Sequence, residues 1–171
     1  MIVPTPRTWT VGELLTATKM NADVRDGLNF LLSPPYALLT RSSVLSIPNN
    51  AVNAIAWNAE TIDRDGGHST VTNPSRYTCA TAGYYEVWGY IKWATVAGGY
   101  RACEMRKNGG GPANVDYRPL PSSNEAANQV RGDFFLNVGD YMELWAFQNS
   151  GGSINIDNGF GTTFGIRWIS T

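Results

Sequence analysis

Few residues in this sequence are placed to do covalent chemistry. His68 is the one histidine and stands beside Ser69, shortly after Asp63 and Asp65. A nucleophilic serine needs an activating base and a buried setting. The Gly66-Gly67 loop offers neither, so no triad is expected there. Asp63-Arg64-Asp65-Gly66-Gly67 opens like a calcium loop. Positions 6 and 12 of that template would fall on His68 and Pro74, where glycine and glutamate are needed. A solvated turn is expected instead. Arg131-Gly132-Asp133 spells an integrin-binding tripeptide, but it falls inside a predicted strand rather than on a loop tip, and reads as chance. Cys79 and Cys103 allow one disulfide or two reduced core thiols. No Gly-rich phosphate loop precedes a helix, and no paired carboxylates stand out. The expectation is a non-enzyme with no catalytic residues, metal or cofactor.

Aromatic side chains are the better candidates for recognition. Tyr100 and Tyr117 flank Gly-rich loops at 97–99 and 108–111. Aromatic faces with polar rims suit sugars, and loops carry function on a rigid scaffold. The alternative is that both tyrosines are plain strand residues.

Composition narrows the class. The chain has 171 residues and a formal net charge of −1, which gives no field for gripping phosphate backbones. No nucleic-acid partner is expected. No apolar run approaches the roughly 18 residues needed to span a bilayer, so no membrane insertion is expected. No basic segment followed by an apolar stretch marks a secretory signal at the N-terminus. Charged residues are only 16%, while 18 Gly, 6 Trp, 8 Tyr and 6 Phe favour strands and turns over helices.

The chain divides at about residue 35. Pro4 and Pro6 make residues 1–7 an extended arm. Leu14 to Leu32 reads as a helix, with Met20, Val24, Leu28 and Leu31 on one face and Thr16 or Thr18 as its cap. Ser33-Pro34-Pro35 ends it. One apolar stripe alone in water is marginal. The helix therefore packs on its own domain or on another molecule, and the Pro-Pro break favours an intermolecular role. Trp9, Met20, Val24, Leu28 and Leu31 are the candidate anchor.

From residue 36 onward, about ten β-rich runs alternate with turn clusters such as Asn108-Gly109-Gly110-Gly111 and Asn149-Ser150-Gly151-Gly152. They run near Ala37–Ser43, Ala54–Thr61, Arg76–Ala80, Tyr84–Thr95, Tyr100–Lys107, Asn114–Leu120, Gln129–Leu136, Tyr141–Asn149, Ser153–Asp157 and Gly161–Ile169. The expectation is an all-β, two-sheet antiparallel sandwich or barrel. Tyr85, Val87, Ile91 and Trp93 share one side of their strand, the core side. Tyr84, Glu86, Trp88, Tyr90 and Lys92 share the other, which is too aromatic for an ordinary wet face. Tyr141, Glu143, Trp145 and Phe147 repeat the pattern opposite Met142, Leu144 and Ala146. Tyr84, Glu86, Trp88, Tyr90, Tyr141, Glu143, Trp145 and Phe147 are accordingly the candidate subunit interface. Coverage by the chain's own loops or helix is the alternative.

Gly83-Tyr84-Tyr85-Glu86-Val87, Arg106-Lys107-Asn108-Gly109, Leu136-Asn137-Val138-Gly139-Asp140 and Phe164-Gly165-Ile166 stand in order. Together they resemble the globular head of complement C1q and the related tumour-necrosis-factor-like jelly roll. The last motif lacks the family's glycine two residues after the phenylalanine. The resemblance covers residues 37–171 and implies a jelly-roll sandwich that forms homotrimers. The segment Thr8-Trp9-Thr10-Val11-Gly12-Glu13-Leu14-Leu15-Thr16-Ala17, with Asn21 and Val24-Arg25-Asp26-Gly27-Leu28, resembles the start of many tailed-phage virion proteins. It implies a fibre or head or tail appendage, assembled in the host cytoplasm, with residues 1–35 attached to other virion proteins. Such an assembly site favours reduced cysteines. The domain of residues 36–171 would then adhere to a host-surface glycan or protein. The alternatives are a capsid decoration that stabilises the particle and a soluble C1q-like lectin.

Overall fold

The computed structural model describes residues 3–120 and 125–171. A helical segment is followed by twelve strands, all paired antiparallel in two sheets. The strands are β1 (Tyr36–Arg41), β2 (Leu45–Ile47), β3 (Ala51–Ala54), β4 (Ala59–Asp63), β5 (Arg76–Thr78) and β6 (Gly83–Trp93). They continue as β7 (Tyr100–Lys107), β8 (Pro112–Pro119), β9 (Ala126–Leu136), β10 (Tyr141–Gln148), β11 (Ile154–Ile156) and β12 (Gly159–Ser170). The first sheet runs β9-β6-β12-β1-β4, with β11 joining the end of β6 and β2 pairing β11. The second runs β3-β10-β7-β8, with β5 sharing the β3 edge of β10. This is the expected two-sheet jelly roll.

Ten runs become twelve strands for a local reason. The stretch expected as one strand over Ala54–Thr61 leaves the second sheet after β3 and enters the first at β4. Ile55 and Trp57 lie on the crossing and are fully buried. Their N–H groups donate to Leu144 and Pro74 carbonyls instead of to one continuous ladder. The short β2 carries no alternation long enough to read.

Strand periodicity sets the core. Tyr85, Val87, Ile91 and Trp93 of β6 face Met142, Leu144 and Ala146 of β10, and all seven are buried. Gly89 interrupts the inward row of β6, and a Cβ there would fall inside contact distance of the Leu144 side chain. Glycine thus lets the sheets close on Leu144. Two buried polar side chains fasten neighbouring segments. Asn128 accepts from Trp93 Nε1 at 2.8 Å and donates to the Asp116 carbonyl at 3.0 Å, tying β9 to β8. Arg101, fully buried, donates to the carbonyls of Val96, Gly98 and Tyr100 and so pins the 94–99 loop. The Asn108-Gly109 turn has φ of 53° and 66°, the left-handed pair that a tight hairpin requires.

The N-terminal helix spans Ala17–Met20 and Asp26–Leu32, joined by a π-type turn at Asn21–Arg25. Thr16 caps it by accepting from Lys19 N. The arm folds back along it, with Pro4 against Gly27. Glu13 gathers the arm, pairing with Arg7 and with Lys19 Nζ at 2.7 Å. The hydrogen bond from Lys19 is the main cause that lowers the Glu13 carboxyl to about 2. Phe30 is the one buried residue of the helix, set edge-on to Trp168 at 4.8 Å. Among the described residues no helix is long and apolar enough to cross a membrane.

Two outcomes follow for stability. Gly89→Ala is expected to cost about 1–3 kcal/mol by overpacking. Combining it with Leu144→Ala should cost less than the sum of the two single changes, measured by chemical denaturation. The contribution of Glu13 is complete above its ordinary value of 4.5 and is lost as pH falls toward about 2. Amide protection factors over residues 7–19 should therefore be unchanged from pH 7 to 5 and fall at lower pH. In Glu13→Gln they should already be low at pH 7.

Candidate interaction surfaces

The outer face of the first sheet carries Tyr84, Glu86, Trp88 and Tyr90 from β6, as strand alternation requires. Register places Phe135, Asp133, Arg131 and Gln129 of β9 opposite them in that order. Tyr84 and Phe135 meet edge to face at 5.2 Å and are 45% and 44% exposed. Glu86 is buried on this outward face because two guanidiniums cover it. Arg167 Nε reaches one carboxylate oxygen at 2.5 Å and Arg131 pairs with the other. A carboxylate removed from water needs such partners. Trp88 lies across the chain at Gly165, where a Cβ would collide with its ring, and stacks on Tyr36 at 6.3 Å. Pro34, Tyr36, Arg64, Trp88, Arg167 and Trp168 wall a cleft of about 600 Å³ beside it.

Tyr141, Glu143, Trp145 and Phe147 lie on the outer face of the second sheet. The structure thus puts the two candidate sets on opposite sides of the sandwich. One flat contact cannot use both, whereas a ring of copies joins two different patches at each junction. The second set is largely covered by the chain itself. Arg76 lies 4.0 Å over the Tyr141 ring and Arg106 lies 4.5 Å over Trp145. Their acids are buried beneath: Glu143 accepts from Arg76, Ser75 and Trp145, and Glu104 from Arg106 and Tyr117. Guanidinium on ring is a favourable contact of about 0.5–2 kcal/mol. Of the two candidate sets, the one on the first sheet is thus the less covered, with Tyr84 its most exposed ring.

Tyr100 and Tyr117 stand on this second face near its β8 edge, at the end of the sandwich away from the N-terminal helix. They are 50% and 57% exposed, and both belong to strands. The Tyr117 hydroxyl donates to Glu104 at 3.2 Å, which fixes the ring while leaving its face to solvent.

The anchor candidates Trp9, Met20, Val24, Leu28 and Leu31 are all exposed, Leu31 by 73%. Sequence reading missed Phe30, which docks the helix in their place. The helical stripe gave no signal for it, because Trp168 is brought to that spot by the last strand of the fold.

The residues weighed for chemistry take these places in the fold. His68 is buried, with Nδ1 at 2.6 Å from Glu60 and Nε2 at 3.1 Å from the Pro74 carbonyl. Asp63 accepts from the Gly67 and His68 N–H groups, which is the turn expected there. Cys79 and Cys103 are free and buried, and burial pushes both thiols up. Arg131-Gly132-Asp133 lies within β9. Among the described residues no three acidic, histidine or cysteine side chains gather as a metal site.

No protein-family model and no curated protein matches the chain. Solved structures do. Murine APRIL at pH 5.0 is 16% identical with a TM-score of 0.62, over 79% of this chain and 98% of that one. The globular domain of zebrafish complement 1qA is 14% identical with a TM-score of 0.55, over 79% and 97%. The Eiger TNF of S. frugiperda is 12% identical with a TM-score of 0.57, over 80% and 92%. Likeness at this identity speaks to fold: residues 36–171 adopt the jelly roll of the TNF and C1q heads.

Proposed function

We propose that this chain is a homotrimeric structural module of a tailed-phage virion, a fibre or a head or tail appendage. The observation that carries the reading is the pairing of an uncovered aromatic face on the first sheet with an uncovered apolar stripe on the N-terminal helix. Tyr84 and Phe135 leave nearly half their surface in water, a poor resting state for rings that a second copy can bury. The fold likeness to TNF and C1q heads supports a trimer. The resemblance of Trp9 to Leu28 to virion N-termini supports attachment of residues 1–35 to other virion proteins. In this reading the jelly roll points its far end, with Tyr100 and Tyr117, toward the host surface. Three copies held together turn a weak contact with a glycan or protein into useful avidity. The module does no catalysis and needs no cofactor.

Light scattering of the full chain at micromolar concentration should give three times the 18.7 kDa chain mass. A monomer would overturn the trimer. Leu28→Glu with Leu31→Glu should leave that mass unchanged and abolish incorporation into particles, scored by immunoblot of purified virions. Normal incorporation would overturn the anchoring role of the helix.

A further inference from the structure

One line of residues crosses the outer face of the first sheet with opposite charge at its two ends. Arg64 N donates to the Tyr36 carbonyl at 3.0 Å. Tyr36 pairs with Arg167, Arg167 with Glu86 and Glu86 with Asp133. From the β4 side to the β9 edge the line therefore reads cation, ring, cation, anion, anion. Its middle is paired, because Glu86 is shared by Arg167 and by Arg131 of the next row. Its ends are not. Arg64 is exposed and lies 5.5 Å over the Tyr36 ring, and Asp133 is exposed on the edge strand. Neither has an ion-pair partner among the described residues. The surface is hollow at the cationic end, where the cleft between Tyr36, Arg64, Trp88 and Arg167 opens.

A ring of identical copies is built from head-to-tail contacts, in which one patch meets a different patch on the next copy. Rotation about an axis running along the strands keeps every residue at its own height. It carries the β9 edge of one copy toward the β4 side of the next, with Asp133 level with Arg64. We propose that this is the junction of the trimer: Asp133 of one copy enters the cleft of the next and pairs with Arg64. Charge complementarity selects a second copy of this chain as the occupant. The cleft has an unpaired cation, and the same chain carries an unpaired anion at the same level on its other side. The inference rests on the trimeric reading above and names the contact that would make it directional.

The test is a charge exchange, read by light scattering and sedimentation over a concentration series. Both side chains are exposed, so D133R and R64D should keep the wild-type circular dichroism spectrum. Like charges facing each other across an interface oppose association. Each single variant should raise the concentration for half-assembly by at least about 10-fold. The double variant R64D/D133R should return close to wild type. Single variants that assemble normally would overturn the junction and leave the cleft to some other occupant. Singles that dissociate without rescue in the double variant would overturn the direct pairing. A monomeric wild type would instead remove the trimeric reading on which this rests.

Discussion

Leu144 of β10 occupies the space that any side chain on residue 89 of β6 would need, and the spacing of the two sheets depends on that contact. With the sheets this close, the inward rows of β6 and β10 are sealed from water and the large side chains Trp57, Trp93, Tyr77 and Tyr85 pack without exposure. Every other aromatic residue of those strands is then forced outward by the two-residue period. The molecule consequently has two outer faces richer in rings than a solvated sheet ordinarily is.

The two faces handle that surplus differently. On the second sheet, Arg76 and Arg106 lie flat on Tyr141 and Trp145 while their charges are met by buried Glu143 and Glu104. Ring, guanidinium and carboxylate form closed sets that leave little unsatisfied. On the first sheet Arg131 and Arg167 turn to Glu86 instead, and the rings of Tyr84 and Phe135 meet each other edge to face with no guanidinium of the described residues over them. The difference lies in where the acid stands. Glu143 and Glu104 sit next to rings, so their arginines cross those rings to reach them. Glu86 draws both of its arginines to the centre of the sheet and away from Tyr84.

The N-terminal segment follows the same logic of partial coverage. Phe30 holds the helix on Trp168, and Glu13 holds the arm on the helix. Leu28, Leu31 and Leu32 are left outside. The segment is thus fixed in place by one aromatic contact and a set of ion pairs while its apolar stripe remains available.

The sequence by itself determined the local rules. Alternation in 84–93 and 141–147 named the buried and outward rows correctly, Asn108-Gly109 named a hairpin, and Thr16 and Thr18 were the two helix caps on offer, of which Thr16 is used, because each is written within a few neighbouring residues. It determined the sandwich class for the same reason, since the turn clusters separate runs of strand length. Tertiary structure alone decided which rows meet. That the rings of β6 and β10 lie on opposite sides of the molecule depends on which strands pair, and so does the fate of Glu86, whose arginines come from positions 131 and 167. Residue 30, not the periodic stripe, became the docking side chain because Trp168, more than a hundred residues away, arrives there. Contacts of that separation are fixed by register across a closed sandwich, and register is a property of the whole packed core rather than of any one segment.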